Sequence, residues 1–534
     1  MAKKSLLAIA LLGAAGYFMK INAQNYLDLQ RFSETGIIGT ARSMGMGGAF
    51  TAVGGDFTTT TLNPAGLGLF QRSELMFSTA LQFFSTKGTL WGETNTATTS
   101  NFSIPNLGFV IQSTTRNKSG ILNWAIGMGF NQLNHFRREI NASGFNPYHS
   151  ISTYLSQIAQ GERMDDLLRR GGRQNVAAAS DLAAIAFNTY FTVRNGQETD
   201  IGIINTQTAP NGAPLDGNYF GIFEYGGIRQ NYELLEKGRL NQWDFAFGAN
   251  VDDVLHFGFG LGILDASYEY TRNTSEVDVL NRYRYINLQY QRDTLPAREM
   301  EVTEFLRTSG IGINFKLGLI YQPVDFLRIG TSIQTPSYLS LSDRYETQMR
   351  LIGDFGERAS YISSEDLFDY SMTLPYRFNL GGMFLIQKMA LISADLEIVD
   401  YKFAQLSPAR NFRDVNQFAS NNFALGYNFR LGGELRIENL YLRAGYARFS
   451  NVLEDRVNAA LSDPATHNFT GGLGYRGPSL YFDFAYVHQI KPDAFSLYAI
   501  QGRGPSPILT ANRTFGNIVF TFGVRFGKAQ NTKK

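Results

Sequence analysis

The chain of 534 residues contains no cysteine, and charged residues make up only 18% of it. The absence of cysteine excludes a disulfide scaffold and a thiolate metal site. Because soluble domains carry roughly 25% charged residues, the low charge argues against an ordinary soluble protein. The 48 basic residues nearly balance the 46 acidic residues, so no basic surface for nucleic acid is expected.

Long apolar runs are also missing. Beyond residue 23 no uninterrupted apolar stretch approaches the roughly 18 residues of a membrane-spanning helix, which excludes a helical membrane protein. Disorder is excluded because 44% of the residues are hydrophobic. Glycine (54 residues), phenylalanine (42) and tyrosine (27) are abundant instead. This composition points to a bacterial outer-membrane β-barrel.

The N-terminus has the features of an export signal. Lys3 and Lys4 precede a largely apolar stretch, Ser5–Met19, and Ala23 offers a small residue for cleavage before Gln24. We therefore interpret residues 1–23 as a signal peptide that directs the protein to the outer membrane of a Gram-negative bacterium. A retained N-terminal anchor is the alternative.

Alternation of apolar and other residues is the main signal from residue 73 onward. In one run Leu480, Phe482 and Phe484 alternate with Tyr481 and Asp483. A lipid-facing strand shows this pattern, and its charged residues must face the lumen because lipid offers them no partner. The runs number fourteen: 73–85, 103–114, 121–136, 240–251, 254–271, 303–322, 326–348, 371–386, 388–401, 419–437, 440–450, 466–476, 478–489 and 513–527.

The lengths of the connections alternate as well. Links after the even-numbered runs are about one to six residues, whereas those after the odd-numbered runs are long. Short periplasmic turns and long extracellular loops are typical of outer-membrane barrels. The sequence therefore predicts an all-β membrane protein with a 14-stranded antiparallel outer-membrane β-barrel over residues 72–527 and a periplasmic tail at 528–534. A large soluble all-β protein is the alternative.

The longest connection, residues 137–239, shows helical spacing of apolar residues at 151–160, 165–170 and 181–190. We predict an extracellular lid of short helices here, with a small separate domain as the alternative.

Residues 24–71 lack strand patterning and are rich in small residues. Glycine and alanine allow backbone to pack closely on backbone, and irregular backbone at membrane depth survives only inside protein or water. We infer a plug (hatch) inside the barrel. Its candidate gating residues are Arg42, Gly45, Gly47, Gly48, Asp56, Asn63 and Pro64. Arg42 and Asp56 could pair with wall charges such as Glu434 or Arg443 and hold the plug shut, or could be plug-internal or solvated charges.

One pattern in the plug resembles a known family. Ala-Arg-x-x-Gly-x-Gly-Gly-Ala-x-x-Ala at residues 41–52, then Asp56, then Asn-Pro-Ala-Gly-Leu at 63–67, is similar to the FadL/TodX family of outer-membrane transporters for hydrophobic compounds. Weaker likenesses lie at 328–336, 374–382 and 431–446. The resemblance extends from about residue 36 to the C-terminus, apart from the lid.

The resemblance implies a mechanism of uptake. A hydrophobic ligand, a fatty acid or a detergent-like molecule, enters a lumen pocket, and rearrangement of the hatch lets it leave sideways into membrane lipid near the third strand. Pro105, Gly127 and Gly129 are candidates for this lateral opening, because proline and glycine weaken or bend a strand ladder. They could equally be a strand-end proline and ordinary barrel glycines.

The long lid departs from the better-known members of the family and resembles long forms from Bacteroidetes. Relatives there also serve in secretion or assembly machines. The second hypothesis is therefore a structural or docking subunit of an outer-membrane complex, with the lid binding other outer-membrane proteins.

No chemical motif points to an enzyme or a cofactor. The five histidines are not at metal-ligand spacing, although a haem ligand is conceivable at His149, and no Ser/His/Asp set is recognisable. The Gly472-x-Gly474-x-x-Gly477 pattern lacks the following helix of a dinucleotide site. The acidic loop at 363–369 could bind calcium or be a solvated loop. We expect no catalytic residue, cofactor or metal.

Overall fold

A computed structural model describes residues 25–171, 178, 181–194, 197–200, 221–223, 225–282, 284–286, 294–353, 356–387, 389–455, 457, 461, 463–502 and 504–527. The predicted signal peptide (1–23) and tail (528–534) lie outside these ranges. Among the residues described, no helix is long and apolar enough to cross a membrane.

The described part of the chain holds 22 strand segments. Two short ones, at 191–194 and 197–200, pair only with each other; the other twenty belong to one closed sheet of fourteen antiparallel wall strands, several of them in two or three pieces. The strands are β1 (Ser73–Leu90), β2 (Glu93–Thr114), β3 (Ile121–His135), β4 (Arg138–Asn146), β5 (Phe191–Arg194), β6 (Gln197–Asp200), β7 (Ile228–Val251), β8 (Leu255–Val277), β9 (Arg284–Ile286), β10 (Thr294–Val324), β11 (Leu327–Gln334), β12 (Ser337–Gly353), β13 (Gly356–Ile362), β14 (Asp366–Leu374), β15 (Arg377–Ile386), β16 (Ala390–Asp400), β17 (Gln405–Ser407), β18 (Leu425–Ile437), β19 (Leu440–Phe449), β20 (Thr466–Arg476), β21 (Leu480–Ser496) and β22 (Ile508–Phe526).

Pairing of β1 with β22, from Ser73↔Phe526 to Leu90↔Leu509, closes the barrel. The pieces β3 and β4 form one wall strand, as do β11 and β12, and β13 to β15; β17 continues β16 after a short helical turn. Two of the breaks contain Pro336 and Pro375, which cannot donate a ladder hydrogen bond. The predicted fourteen-stranded fold is confirmed.

Exposure alternates along the wall as the sequence pattern predicts. On β1, Leu75 and Phe83 are exposed to the outside, whereas Met76 and Gln82 are buried toward the lumen. An outward apolar band is suited to lipid. The charged residues that interrupt the runs are buried inside, where the Nη1 atom of Arg443 lies 2.6 Å from Asp483 Oδ1. The prediction that such charges face the lumen is therefore met.

Several predicted boundaries need correction. The lid was predicted over 137–239, but β4 and β7 pair from Arg138↔Glu236 to Asn146↔Ile228, so the lid proper covers only 147–227. The antiparallel ladder simply continues above the membrane. The predicted strand 419–437 starts at Leu425, because Arg413–Asn422 forms a helix. The short turns connect the strands at one end of the barrel, after the even-numbered runs as predicted. We assign that end of the barrel to the periplasm.

The helices, in chain order, are α1 (Tyr26–Ser33), α2 (Ala41–Gly45), α3 (Thr59–Leu62), α4 (Ile151–Ala159), α5 (Met164–Gly171), α6 (Leu182–Tyr190) and α7 (Arg413–Asn422), and Pro64–Leu69 forms a 3₁₀ helix. The three lid helices match the predicted spacing. Buried residues of α6, such as Ile185 and Phe187, form one apolar cluster with Met300 on β10 and Met349 on β12. The lid is thus packed onto the extended strands rather than set apart as a separate domain.

Residues 25–72 form helices and turns, with no strand, and fill the lower lumen. The 3₁₀ helix contacts β3, β7, β8 and β10, and α2 contacts β19 to β22 on the opposite side of the barrel. Phe50, Phe57 and Leu67 are fully buried. This segment is the plug.

The plug, the lumen cavity and the gap in the wall

Glycines bring the plug backbone directly against the wall backbone. Gly47 has a φ of 67°, and a Cβ atom added to it would lie 3.0 Å from the carbonyl oxygen of Leu431 and from the amide nitrogen of Tyr446. On the wall side, a Cβ on Gly445 would lie 2.3 Å from the nitrogen of Gly47. Only glycine meets both demands, a left-handed backbone and a close approach.

The neighbouring glycines of the plug motif behave similarly. Gly48 has a φ of 74°, which favours glycine, and packs beside Arg430. A Cβ on Gly45 would lie 3.3 Å from the Cα atom of Gly472 on β20. The small-residue motif therefore corresponds to the surface along which the plug contacts β18, β19 and β20.

Arg42 joins the plug to the wall through a two-pronged ion pair. Its Nε and Nη2 atoms donate to Glu434 Oε2 and Oε1 at 2.9 and 2.8 Å. Glu434 Oε2 also accepts from Arg443 Nε at 2.6 Å, and Arg443 donates onward to Asp483. Such forked arginine–carboxylate contacts combine charge with a defined geometry. The network ties α2 to β18, β19 and β21.

Among the described residues, Asp56 forms no ion pair with a charge of the wall. Both of its carboxylate oxygens accept from Thr40 Oγ1 at 2.9 Å, and Oδ1 accepts from the backbone nitrogen and the hydroxyl of Thr58 at 3.0 and 2.7 Å. The side chain therefore organises the plug internally, which was the alternative interpretation. The expected pairing of Asp56 with a wall charge is wrong, because neighbouring threonines already satisfy the carboxylate.

Asn63 and Pro64 shape the turn that enters the 3₁₀ helix. Asn63 Nδ2 donates to the carbonyl of Thr51 at 2.7 Å, and its Oδ1 accepts from the nitrogen of Ala65 at 3.2 Å. Pro64 occupies the first position of the 3₁₀ helix and lies against β8, where a Cβ on Gly258 would be 2.4 Å from its carbonyl carbon. This turn seats the plug against the wall opposite Arg42.

Asp395 on β16 is a plug contact that the sequence reasoning missed. Its Oδ2 atom accepts from the backbone nitrogens of Phe50 and Thr51 at 2.7 and 2.8 Å and from Thr51 Oγ1 at 2.8 Å. The available signal was an acidic residue inside the apolar run 388–401. That pattern places the carboxylate in the lumen but does not reveal its partners, Phe50 and Thr51, which are 345 and 344 residues earlier in the sequence.

A cavity lies in the lumen above the plug. Helix α1 forms part of its lining, and the Asn25 side chain caps this helix by accepting from Leu27 N at 2.8 Å. The aromatic and apolar lining includes Leu133, Phe136, Tyr232, Leu234, Tyr268, Tyr270, Phe449, Val487, Phe495 and Phe515. The charged lining consists of Asp28, Arg31, Glu34, Arg137, Arg138, Glu236, Arg272, Lys491, Asp493 and Arg513. The cavity thus offers both apolar and charged surfaces to a ligand.

The backbone ladder of the wall is interrupted beside this cavity, and we call this interruption the gap. Strand β2 pairs with β3 only from Asn106↔Asn131 to Thr114↔Asn123. Above Asn106 the strand continues up to Glu93 with β1 as its sole ladder partner in the described structure, while the chain beyond His135 pairs with β7 instead. Pro105, which has no N–H to donate, lies one residue beyond the last step of the ladder and lines the cavity.

Side-chain contacts bridge the gap where the backbone ladder is missing. Arg137 Nη2 donates to Thr99 Oγ1 at 2.8 Å. Farther up, Asn95 Oδ1 accepts from the nitrogen and the hydroxyl of Ser143 at 3.1 and 3.2 Å. We call these two contacts the lower clasp (Arg137–Thr99) and the upper clasp (Asn95–Ser143).

Gly127 and Gly129 lie below the gap, inside the paired ladder. Gly127 faces Val110 in the register of β2 and β3. A Cβ on Gly127 would lie 2.8 Å from Thr60 Cγ2, and one on Gly129 would lie 2.4 Å from Phe57 Cζ. Both glycines make room for side chains of the plug. The structure brings Pro105 to the edge of the gap and places the two glycines beside the plug.

A closed wall, a lumen filled by an N-terminal plug and the asymmetry of turns and loops define a plugged outer-membrane β-barrel. No known family profile matches the sequence, and no curated protein matches it. Among solved structures, a FadL homologue from Pseudomonas aeruginosa is similar, with 12% identity, a TM-score of 0.51, and coverage of 92% of this chain and 99% of that chain. The fold of this chain is therefore that of the FadL homologue, as the plug motif predicted.

Two toluene transporters are also similar to the chain at lower scores. TodX from Pseudomonas putida has 12% identity and a TM-score of 0.47, covering 93% of this chain and 99% of that chain. TbuX from Ralstonia pickettii has 16% identity and a TM-score of 0.45, covering 93% and 100%.

Proposed function

We propose that the protein is an outer-membrane channel for the uptake of hydrophobic small molecules, such as long-chain fatty acids. The single observation that carries the proposal is that the cavity above the plug borders the gap in the wall at Pro105. A cavity beside an interrupted ladder, above a plug, suits a molecule that leaves toward lipid.

The lining of the cavity fits a ligand with an apolar body and a polar end. Phe136 and Tyr268 line the cavity and pack edge-on against each other and against the buried Phe32, with ring centroids 5.1 to 6.5 Å apart. Ligand pockets are commonly apolar with a few placed polar groups that fix orientation. The charged lining residues supply those groups here.

The path below the cavity is blocked by close contact between plug and wall. Gly47 and Gly445 leave no space between the two backbones, and Arg42 and Asp395 anchor the plug on the same side of the barrel. At the gap, by contrast, no backbone ladder joins β2 to β3, and the two clasps are side-chain contacts. We propose that the ligand leaves through the gap, with a rearrangement of the plug that first lets it reach Pro105.

Mass spectrometry tests this proposal. The protein, tagged at its C-terminus, is drawn from its native membrane in mild detergent, and bound proteins and small molecules are analysed in the same sample. A lone barrel with a stoichiometric fatty acid or similar amphiphile is the expected result. A fixed set of protein partners, with no ligand above the lipid background, would contradict the proposal and favour the docking-subunit hypothesis.

A further inference from the structure

Arg137 differs from the other basic residues of the cavity in its partners. Six basic residues line the cavity, and five of them have carboxylate partners: Arg31 with Asp28 and Glu236, Arg138 with Glu236 and Asp493, Arg272 with Glu304, Lys491 with Glu34, and Arg513 with Asp493. Arg137 has no carboxylate partner in the described part of the chain. Its one hydrogen bond there is the lower clasp to the Thr99 hydroxyl.

The surroundings of Arg137 leave further hydrogen-bonding capacity unused. Its Nε atom is buried and has no acceptor among the described residues, and the same holds for the Nδ1 atom of His135, two residues earlier. The His135 ring lies between the rings of Phe84 and Phe515, at 5.0 and 4.4 Å between centroids. A buried donor without an acceptor costs about 1–3 kcal/mol, so an incoming acceptor would be favoured here.

The outside of the wall beside the gap is apolar. Phe102 and Ile104, on the stretch of β2 that does not pair with β3, are 60% and 44% exposed. A molecule at the gap therefore meets an apolar surface outside, a cation at the edge, and the apolar residues Leu133 and Phe136 of the cavity inside. This order of surfaces matches a molecule with one anionic head and an apolar chain.

We propose that Arg137 binds the anionic head group of an amphiphile and thereby releases the lower clasp. This inference rests on the proposed function, because it concerns passage through the same gap. The guanidinium group forms paired hydrogen bonds with carboxylate and phosphate groups, which are stronger than a bond to a neutral hydroxyl. A head group therefore competes with Thr99 for Arg137, and the side-chain link across the gap is lost when the ligand arrives.

Binding of three probes of equal chain length separates charge from apolar contact. The probes are dodecanoate, dodecyl phosphate and 1-dodecanol, and the titrations follow displacement of a fluorescent fatty-acid analogue from the full-length protein in detergent. Wild type should bind the two anions more tightly than the alcohol. Arg137→Gln should weaken binding of the anions about tenfold or more, the range of a lost charge-assisted hydrogen bond, and leave the alcohol unchanged. The preferred anion tells a carboxylate ligand from a phosphate ligand.

Two further variants complete the test. Arg169→Gln removes an exposed lid cation that pairs with Asp166, away from the cavity, and should bind all three probes like wild type. Thr99→Val removes the acceptor of the clasp but keeps the cation, so it should retain the preference for anions and bind them at least as tightly as wild type. Equal binding of dodecanoate to wild type and Arg137→Gln, with 1-dodecanol bound by both, would overturn the role of Arg137. Failure of wild type to bind any probe would overturn the proposed function itself.

Discussion

Arg42 in the plug and Glu434 in the barrel wall form a forked ion pair, with Nε···Oε2 and Nη2···Oε1 distances of 2.9 and 2.8 Å. Both side chains are largely buried. Glu434 keeps Arg443 as a second partner, so loss of Arg42 would remove the link between plug and wall without leaving the carboxylate unpaired. We propose that the Arg42–Glu434 contact holds the plug against the wall.

Arg42→Gln should loosen the plug. We expect increased single-channel conductance in planar bilayers and faster entry of large antibiotics into cells that express the variant. Arg436→Gln is the matched control, because Arg436 is exposed at the turn end of β18 and its side chain, which donates to the Glu438 carbonyl and lies over the Tyr441 ring, contacts no plug residue among those described. Equal conductance of Arg42→Gln and wild type would show that the pair does not hold the plug.

Gly47→Ala should disturb the plug through both backbone strain and a clash with the wall. Gly92→Ala is the comparison that isolates the clash, because Gly92 also has a positive φ, 86°, but has nothing within 4 Å of an added Cβ. Left-handed strain alone costs about 1–2 kcal/mol. We expect Gly47→Ala to increase protease cleavage within the plug and Gly92→Ala to leave it intact. Similar cleavage in the two variants would argue against close backbone contact at Gly47.

Two substitutions of Asp395 separate the loss of its charge from the loss of its hydrogen-bond acceptor. Its Oδ2 atom accepts three hydrogen bonds from Phe50 and Thr51, and Asp395→Asn can keep an oxygen in that place. Asp395→Ala leaves three buried donors unpaired, at about 1–3 kcal/mol each. Conductance in bilayers should rise more for Ala than for Asn. The reverse order would mean that these bonds do not position the plug.

Glu276 should make docking of the lid depend on pH. It lies 13 residues beyond Ile263, the last strongly exposed large apolar residue on β8, which is roughly 40 Å along the strand and above the membrane. The carboxylate accepts from Ser150, from the nitrogen of Ile151 at the start of α4, and from Gln230. Burial raises the pKa of Glu276 from 4.5 to about 7.

The sign of the pH effect follows from that raised pKa. The docked lid favours the protonated carboxyl, so this contribution is fully present below pH 4.5 and is lost as the pH rises through about 7. The nearby His149 has a pKa lowered by burial, which acts in the opposite direction below pH 6.5. Comparison with Glu276→Gln at each pH cancels the contribution of His149, which both proteins share.

Hydrogen exchange of residues 151–159, corrected for the intrinsic rate, measures docking of the lid. Glu276→Gln should protect these amides more than wild type at pH 8 and equally at pH 4.5. Identical protection of the two proteins at pH 8 would contradict the account of Glu276.

Local patterns in the sequence predict the architecture well, because a strand in lipid must alternate at every second residue and a periplasmic turn must be short. The lid helices and the glycines of the plug motif follow from spacing in the same way. Local patterns alone do not show the gap, since the separation of β2 from β3 above Asn106 is a matter of register between strands. The family resemblance led to a lateral opening near the third strand, and of the three residues suggested for it only Pro105 lies at the gap. The partners of Arg137 and Asp395 were likewise hidden, because Thr99 and Thr51 are 38 and 344 residues away.

The most direct test of a lateral exit is to lock the gap. The protein has no cysteine, so Asn95→Cys with Ser143→Cys places the only thiols at the upper clasp. Thr89→Cys with Thr94→Cys is the control, because these residues already face each other across the paired β1–β2 hairpin. Uptake of a radiolabelled long-chain fatty acid is measured in cells before oxidation, after it, and after reduction. If the ligand leaves through the gap, oxidation should stop uptake in the Asn95→Cys/Ser143→Cys protein and reduction should restore it, while the control pair should take up the fatty acid throughout. Full uptake with the upper clasp cross-linked would contradict the lateral route.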